Sequence, residues 1–259
     1  MAELSWRELE IQQAVMARLE ADRDAYLDLY DVEFGGSREY SADNAAELFP
    51  EYSESTESRT FNREAVGKAA SWIAYSAFLR RLDEPGHEIV VMTGGGTGSG
   101  KSTAVRTALS AGRLVYDSTL TSFAGCRKLI DAVLASGRRV IILFVWRDPV
   151  DAFIGTMKRA NSADGGGRVV QLSTHLYTHQ NAVKTVLALH EHYLKEPNVA
   201  FTFVQNTGKR GEARPATIDL VRNADYTGIG EGLRFALEAA HSTNKITDAQ
   251  YRRILGLDV

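Results

Sequence analysis

A glycine-rich stretch in the first half of the chain carries the clearest chemical signal. The segment VVMTGGGTGSGKSTAVR runs from Val90 to Arg106, between an apolar run and a helix-forming sequence. Within it, eight consecutive residues match the phosphate-loop pattern G-x-x-x-x-G-K-[ST]. They are Gly95, Gly96, Thr97, Gly98, Ser99, Gly100, Lys101 and Ser102. A glycine-rich turn that caps a helix is the alternative, but the strand before it and the helix after it are what the motif requires.

The residue types of this loop suit a bound triphosphate. Glycines let successive backbone N–H groups approach phosphate oxygens, and the free amides at the helix start carry a partial positive charge. Lys101 would bridge the terminal phosphates of ATP, and the Ser102 hydroxyl would ligate Mg²⁺. Thr103 follows in the first helical turn and completes the predicted nucleotide-binding set. The loop therefore predicts ATP and Mg²⁺ as the cofactors.

Asp117 is the candidate for a catalytic base. It ends the apolar run RLVYD, and ligands of open parallel sheets bind beyond the carboxyl ends of the strands. A carboxylate there can accept the proton of a hydroxyl that attacks the γ-phosphate, which gives a kinase rather than a hydrolase. The alternative is a strand-end aspartate that caps the next turn through Ser118 and Thr119. The residues alone leave both roles open.

A second strand-end aspartate, Asp148, has a different context. In nucleotide-dependent motors and switches, an aspartate after an apolar strand helps to hold the metal ion. Here Pro149 and the helical pattern VDAFIGTMKRA follow, which is typical of a helix N-cap with proline at the first helical position. We therefore interpret Asp148 as a cap. The sequence also lacks an evident N-K-x-D motif, which weakens a GTPase interpretation.

Two arginines flank a glycine-rich segment in the second half of the chain. Arg159 ends one predicted helix and Arg168 precedes the next, with NSADGGG before Arg168. This arrangement predicts a lid near residues 159–170, whose arginines neutralise the charge that develops on a transferring phosphoryl group. For each arginine taken alone, a solvated charge at a helix end is the favoured interpretation. Their occurrence beside a phosphate loop favours the lid.

The histidine and cysteine residues do not predict a metal centre. His175 and His179 are four residues apart, as helical ligands would be, but no Glu of an H-E-x-x-H motif and no third ligand accompany them. We expect both histidines on a helix surface or facing the substrate. Cys126 is the single cysteine, which excludes an internal disulfide and fits a reducing cytoplasm. We expect it to be a packed thiol.

The chain divides into two parts of different character. Residues 1–86 show helical periodicity twice, contain no convincing strand and predict a helical N-terminal extension. Within them, SADNAAELFPEYSESTESRTF predicts a short helix and an exposed loop, with Ser41 or Asp43 as the cap. Residues 87–259 alternate apolar runs with helix-length segments, which predicts an α/β, P-loop kinase-like parallel sheet flanked by helices. The four expected strands are EIVVM, RLVYD, RRVIILFVW and VAFTFVQ.

The overall charge restricts the class of ligand. Thirty Lys and Arg residues against 33 Asp and Glu give a formal net charge of −3 and a pI near 6.1. This balance provides no broad cationic surface for nucleic acid or an anionic membrane, so any bound polyanion should be small. The N-terminus lacks the basic start and apolar stretch of a signal peptide, and no apolar run approaches membrane-spanning length. We expect a globular, cytoplasmic protein.

The order of the motifs resembles the zeta-toxin family of P-loop kinases. The matching stretches are GGGTGSGKST, VYDST, GRRVIILFVWRDPVDAF, KRA, GGGRVV, STHLYTHQNAVKTV and VQNTG, which together cover roughly residues 88–211. The resemblance implies an ATP-dependent kinase that acts on a hydroxyl of a nucleotide-like acceptor. In the best-known members this is the 3′-hydroxyl of the amino sugar in UDP-N-acetylglucosamine, and related effectors phosphorylate NAD.

The resemblance also implies roles for individual residues and for a partner. Lys101 and Ser102 would handle ATP and Mg²⁺, Asp117 would be the base, and Arg159 and Arg168 would stabilise the transferred phosphoryl group. An antitoxin or other inhibitory protein would be the macromolecular partner. This sequence departs from the better-known toxins after its second strand, where it has YDST instead of an Asp-rich stretch followed by Phe-Arg.

Three functional hypotheses follow for the chain. The first is a kinase that phosphorylates a nucleotide-sugar or a dinucleotide such as NAD. The second is a nucleoside or other small-metabolite kinase, which would use the same residues. The third is a nucleotide-dependent switch that acts through protein partners. For the N-terminal helices, packing on the sheet, a part in the acceptor pocket and a site for an inhibitory partner all remain open.

Overall fold

The apolar runs of the sequence form a six-stranded, mostly parallel sheet. The computed structural model describes residues 4–160, 168–208 and 212–257. The strand order is β1-β3-β2-β4-β5-β6, in which β6 is antiparallel to β5 and the other neighbours are parallel. The strands are β1 Glu39–Ser41, β2 Val90–Gly94, β3 Leu114–Asp117, β4 Val140–Trp146, β5 Val199–Gln205 and β6 Arg214–Ala216. This architecture confirms the predicted α/β fold class and all four expected strands.

Helices cover both faces of the sheet. Before β2 they are α1 Trp6–Ala21, α2 Arg23–Phe34, a 3₁₀ turn Gly35–Ser37, α3 Ala42–Ala46, α4 Pro50–Ser53, α5 Thr56–Phe61 and α6 Arg63–Asp83. After β2 they are α7 Lys101–Ser110, α8 Phe123–Ala135, α9 Pro149–Ala160, α10 Leu172–His192, α11 Ile218–Arg222, α12 Ile229–Ser242 and α13 Asp248–Leu255. Helix α7 packs on one face of the sheet, whereas α6, α8 and α10 pack on the other.

Strand β2 creates the crevice in which a ligand can bind. It is buried along its whole length, with β3 on one side and β4 on the other. The chain leaves β2 through α7 to reach β3 and then crosses to β4 on the opposite side. Because these connections run in opposite directions, a crevice opens at the carboxyl end of β2, where open α/β sheets bind their ligands.

The expectation that the N-terminal region contains no strand was wrong. Residues Glu39–Ser41 form an edge strand that runs parallel to β3, with Ser41 opposite Asp117. Three residues are too short to show a period of two, so the sequence pattern gave no signal for this strand. The N-terminal region therefore extends the sheet at the edge next to Asp117.

The expected exposed loop between the two long N-terminal helices was also wrong. This stretch forms three short helices, α3, α4 and α5. It folds because it contributes apolar side chains to the core, among them Phe49, which is fully buried and stacks on Tyr26 at 5.5 Å between ring centroids. Of the two candidate caps, Ser41 fills the position, since its hydroxyl accepts the Asn44 N–H at 3.1 Å.

One hydrophobic core joins the N-terminal helices to the sheet. Helix α6 turns an alanine-rich face inward, which lets β1, α1 and α3 approach it closely. Phe78 of α6 is fully buried between Tyr40 of β1 and Tyr116 of β3, with ring-centroid distances of 5.5 and 5.1 Å. The division of the chain at residue 86 stays a prediction, but side chains from both of its sides build this core.

A buried arginine fixes the connection between α6 and β2. Arg138, just before β4, donates to the Leu82 carbonyl at 2.8 Å and the Glu84 carbonyl at 2.7 Å, and pairs with Glu88 at 3.3 Å. A buried guanidinium is stable only when its donors are satisfied, and here backbone carbonyls and one carboxylate do so. Arg138 thereby holds the end of α6 at the start of the sheet.

We expect Phe78→Ala to lower the free energy of unfolding by about 3–5 kcal/mol, because it leaves a cavity between α6 and the sheet. Urea unfolding followed by circular dichroism measures this loss. Phe235→Ala is the matched control, since Phe235 is 75% exposed and its removal should cost less than about 0.5 kcal/mol. Equal losses in the two variants would contradict the shared core.

Candidate active site

A cavity of about 490 Å³ opens at the carboxyl ends of β2 and β3. Five of the side chains predicted from the sequence line it, namely Lys101, Ser102, Asp117, Arg159 and Arg168. The backbone of the phosphate loop lines it as well, at Thr97, Gly98 and Gly100, whereas Gly95, Gly96 and Ser99 are buried behind the surface and Thr103 is exposed on α7. The predicted lid lies partly outside the described residues, at 161–167.

The conformation of the phosphate loop requires glycine at two of its turns. Gly98 has φ +76° and Gly100 has φ +96°, both in the left-handed region. A Cβ at Gly98 would lie 2.6 Å from Thr156 Cγ2, and one at Gly100 would lie 2.2 Å from Asn206 Nδ2. Gly100 also precedes α7 without a side-chain cap, so the first N–H groups of that helix remain available to an anion.

Side chains from three other elements hold the outward carbonyls of the loop. His179 Nε2 donates to the Thr97 carbonyl at 2.9 Å, Arg147 Nη1 donates to the Gly98 carbonyl at 3.3 Å, and Asn206 Nδ2 donates to the Ser99 carbonyl at 2.8 Å. Within a peptide unit the carbonyl and the following N–H point in opposite directions. Binding these carbonyls from outside therefore turns the N–H groups of Gly98 and Gly100 toward the cavity, which is the arrangement of an anion-binding nest.

Lys101 crosses the mouth of the loop. Its ammonium donates to the carbonyls of Gly95 at 3.0 Å and Gly96 at 3.4 Å. Burial lowers the pKa of Lys101, while the nearby Asp117 and Asp43 carboxylates oppose that shift. The lysine is thus held by weak carbonyl partners at the place where a phosphate would offer it charged ones.

Asp117 faces the cavity rather than the turn that follows β3. Its Oδ1 accepts the hydroxyl of Thr93 on the neighbouring strand, and burial raises its pKa, with the Lys101 ammonium opposing. The turn is satisfied without it, because the Ser118 hydroxyl donates to the Thr93 carbonyl and accepts the Leu120 N–H. This geometry favours the cavity role of Asp117 over the capping alternative.

The two predicted lid arginines approach the cavity from different elements. Arg159 lies in the last turn of α9, and burial together with the charge of Arg168 lowers its pKa. Arg168, which precedes α10, donates to Asp43 Oδ2 at 2.7 Å. The second oxygen of Asp43 accepts Arg63 Nη2 at 2.8 Å. A carboxylate from the N-terminal region thus contacts an arginine of the site.

Sequence reasoning missed three charged residues of the cavity, Asp43, Arg63 and Arg147. Asp43 was considered only as a helix cap, and Arg63 carried no motif. Arg147 has no assigned role in the sequence analysis. The first two reach the cavity because β1 pairs with β3 and α6 packs behind it, which is tertiary information. The position of Arg147 at the end of β4 is the one local signal that could have nominated it.

The charge of the cavity fits a polyanion. Lys101 and four arginines line it against two carboxylates, although the whole chain has a net charge of −3. Among the described residues, the buried Nε atoms of Arg63, Arg147 and Arg168 have no hydrogen-bond partner. Unpaired buried guanidinium donors are costly, and phosphate oxygens would satisfy them. Ser102, beside Lys101 on the same wall, offers the hydroxyl ligand that Mg²⁺ would need.

The expectation of surface or substrate-facing histidines was wrong. His175 and His179 are 0% and 3% exposed, and their ring centroids lie 4.5 Å apart beneath the phosphate loop, with the rings tilted by 38°. The Nε2–H groups donate to the carbonyls of Pro149 and Thr97, at 2.8 and 2.9 Å. Burial lowers the pKa of His175 to about 4 and that of His179 to about 3. Helix α10 is buried on this side because the loop and α9 pack on it.

The structure confirms the capping role of Asp148. Its Oδ1 accepts the N–H groups of Val150 at 2.9 Å and Asp151 at 3.0 Å, in the first turn of α9. Pro149 occupies the first position of that helix, as predicted. Asp148 does not belong to the lining of the 490 Å³ cavity, which argues against a metal-holding role.

A second cavity of about 470 Å³ continues from the first. The two share Ser71, Tyr116, Ser118 and Thr119, so the second cavity begins directly beyond Asp117. It extends between α6 and α8 toward Tyr75, and the Lys128 ammonium lies 5.7 Å from the centroid of the Tyr75 ring. Hydroxyl groups, an aromatic face and a cation are therefore available next to Asp117.

Other sequence expectations can be compared with the described residues. Cys126 is buried, and burial raises the pKa of its thiol to about 11, as suits a packed and unreactive cysteine. No three His, Cys, Asp or Glu side chains of the described ranges are grouped so that they could hold a metal ion. None of the described helices combines the length and the apolar character needed to cross a bilayer.

The buried histidines predict a loss of stability in acid. Because the folded pKa of His175 lies near 4, against about 6.5 unfolded, its stabilising effect is present above pH 6.5 and is lost toward pH 4, by about 1.4 kcal/mol per pH unit. We expect His175→Gln, which keeps a donor for the Pro149 carbonyl, to weaken this acid dependence in urea titrations at pH 6.5 and 4.5. The exposed His192→Gln is the control, and identical slopes for wild type and His175→Gln would contradict the assignment.

Comparison with solved structures finds distant similarities. The PezAT chromosomal toxin–antitoxin system of Streptococcus pneumoniae has 12% identity and a TM-score of 0.40, over 64% of this chain and 92% of the other. The AvrRxo1-ORF1:AvrRxo1-ORF2 complex with sulphate ions has 10% identity and a TM-score of 0.43, over 70% and 83% of the two chains. Similarities this distant do not bear on the reaction.

Comparison of the sequence with protein families gives the more specific result. Comparison with curated proteins gives no match. The family model of the zeta toxins matches residues 104–210, which include Asp117, Arg159 and Arg168. The match begins three residues after Lys101 and therefore does not include the phosphate loop. The region from the first turn of α7 to beyond the end of β5 is therefore similar to the zeta-toxin family.

Proposed function

We propose that this protein is an ATP-dependent kinase that transfers the γ-phosphate to a hydroxyl of a nucleotide-sugar or of a dinucleotide such as NAD. One observation carries the proposal: the carboxylate of Asp117 lies in the same cavity as Lys101 and the two arginines, Arg159 and Arg168. A phosphate nest without such a carboxylate would support binding alone. The match of residues 104–210 to the zeta toxins supports the same reaction class.

The proposed transfer is a single displacement at phosphorus. The acceptor hydroxyl oxygen forms a bond to the γ-phosphorus, the bond to the β,γ-bridging oxygen breaks, and ADP leaves. Asp117 accepts the hydroxyl proton, and its raised pKa makes its carboxylate a stronger proton acceptor than an exposed aspartate. The Thr93 hydroxyl, which donates to Oδ1, orients the carboxylate so that the second oxygen is available to the acceptor.

The remaining residues of the cavity hold the phosphates and neutralise charge. The amides of Gly98 and Gly100 and the Lys101 ammonium bind the β- and γ-phosphates in this proposal, while Arg159 and Arg168 face the equatorial oxygens. Ser102 would hold Mg²⁺, which neutralises phosphate charge when it is bound. Arginines in this role increase transfer rates by about 10³ to 10⁵.

The second cavity supports a nucleotide-like acceptor. It begins beyond Asp117, so an acceptor whose hydroxyl reaches the base would extend its remaining part toward Tyr75 and Lys128. An aromatic face suits a base or a nicotinamide ring, and an ammonium suits a diphosphate. Apart from the acceptor, the family assignment supports an antitoxin as the inhibitory partner.

We expect Asp117→Asn to retain ATP binding while transfer to the acceptor falls by about two orders of magnitude or more, because the base is lost and the polar contact is kept. Incubation with γ-labelled ATP and a panel of UDP-amino sugars, NAD and nucleosides identifies the labelled acceptor first. Asp148→Asn is the matched control, since Asn also caps helices and the residue lies outside the cavity.

The outcomes of this experiment separate the rival functions. Unchanged transfer in Asp117→Asn would contradict the role of Asp117. Label that appears only in a nucleoside would identify the small-metabolite kinase. Slow release of phosphate with no labelled acceptor, together with sensitivity to Asp148→Asn, would identify a nucleotide-dependent switch.

We expect Lys101→Ala to lose ATP affinity and transfer activity together, because the ammonium is the charged group within the loop. Isothermal titration with a non-hydrolysable ATP analogue measures the affinity, and circular dichroism checks the fold. Lys128→Ala is the control, because its ammonium lies in the second cavity and its loss should weaken the acceptor alone. An unaltered nucleotide titration for Lys101→Ala would contradict the site.

A further inference from the structure

We propose that Asp43, in the N-terminal region, is a positioning residue that holds Arg168 at the phosphate cavity. The N-terminal region would then complete the active site instead of only packing against it. The inference rests on the proposed function, because it assigns a role to Arg168 in phosphoryl transfer. It concerns a residue that carries no motif in the sequence and lies outside the family match at residues 104–210.

The backbone around Asp43 is fixed against the strand that carries the base. Ser41 lies directly opposite Asp117 in the parallel β1–β3 pair, and Asp43 follows two residues later in the first turn of α3. The Tyr30 hydroxyl donates to the Glu39 carbonyl at 3.2 Å and accepts the Ser41 N–H at 3.1 Å. These contacts tie the start of α3 to the same sheet edge as the catalytic carboxylate.

The carboxylate of Asp43 bridges two arginines that line the cavity. Oδ2 accepts Arg168 Nη1 at 2.7 Å and Oδ1 accepts Arg63 Nη2 at 2.8 Å, so each oxygen has its own guanidinium. Arg168 and Arg63 lower the pKa of Asp43, so the carboxylate is ionised at physiological pH. The bridge is therefore a constant feature of the site.

Arg168 depends on this bridge more than on any other described side chain. Within the described ranges its one hydrogen-bond partner is Asp43, and its Nε has none. A long side chain with a single anchor at one nitrogen is held in direction while its other donors stay available to a phosphoryl group. Removal of the anchor would leave Arg168 in many rotamers and reduce the fraction that faces the phosphate.

A purely structural role predicts a different result. The Asp43 side chain is 53% exposed, and ion pairs with that exposure contribute little to stability because water screens them. A structural pair would therefore change neither stability nor catalysis much when it is broken. A positioning pair would change the rate of transfer while stability and ATP affinity stay nearly constant.

The test is steady-state transfer by the full chain with Asp43→Asn, which removes the charge and keeps the shape. We expect kcat to fall about 10- to 100-fold with the KM for ATP within about twofold, as for partial loss of a transition-state arginine. Asp43→Glu should restore part of kcat. Asp28→Asn is the matched control, because it breaks an exposed N-terminal ion pair with Arg80 outside the cavity and should leave kcat unchanged.

The double variant assigns the effect to Arg168. In an Arg168→Ala background, Asp43→Asn should cause little further loss, since both changes remove the same interaction. An unchanged kcat in Asp43→Asn would overturn the proposal. A full additional loss in the double variant would also overturn it, because Asp43 would then act through Arg63 or through the acceptor instead of through Arg168.

A readout independent of activity separates this inference from the proposed function. Hydrogen exchange of a peptide that begins at Arg168 should become faster in Asp43→Asn and stay unchanged in Asp28→Asn. If exchange is faster in Asp43→Asn but the wild-type protein transfers no phosphate, the kinase function is rejected and the Asp43–Arg168 link is kept. If exchange is unchanged in Asp43→Asn and the wild-type protein is an active kinase, the Asp43–Arg168 link alone is rejected.

Discussion

The accumulation of positive charge around one cavity is the constraint on which the site depends. A lysine and four arginines converge there, and the two carboxylates that line it do not balance them. In a medium of low dielectric, unbalanced charges repel each other and unpaired guanidinium donors destabilise the fold. Asp43 offsets part of this cost by pairing with two of the arginines. The inward loop amides add further partial positive charge, so a bound polyanion would complete the balance.

The sheet makes this convergence possible. Parallel strands bring all their carboxyl ends to one edge, and the reversal of connections at β2 leaves a crevice at that edge. The phosphate loop follows β2, Asp117 ends β3, Arg147 follows β4 and Asn206 follows β5. The edge strand β1 brings Asp43 of the N-terminal region to the same edge of the sheet. These residues thus sit at or just after the end of a strand, where the sheet behind them holds them in place. Arg159 and Arg168 instead come from the end of α9 and from the segment before α10.

The sequence predicted those parts of the site that local patterns encode. The phosphate loop has fixed spacing. The short apolar run of RLVYD predicts a buried strand, which places its aspartate at a strand end. Strand β1 was missed because three residues carry no period. Asp43 and Arg63 were missed because only the pairing of β1 with β3 and the packing of α6 bring them to the cavity. His175 and His179 look like polar residues on a helix, and their burial depends on the loop that packs over them.

If Asp117 is the base, its carboxylate faces the phosphoryl group held by the loop, at a distance that allows an alcohol between them. A crystal structure with ADP, Mg²⁺ and aluminium fluoride in place of the transferring group measures this directly. We expect the aluminium fluoride between Lys101 and Asp117, with Arg159 and Arg168 on its equatorial atoms and the carboxylate about 3 Å from the acceptor position. A nucleotide bound with the Asp117 carboxylate turned away, beyond hydrogen-bond reach of that position, would contradict this expectation.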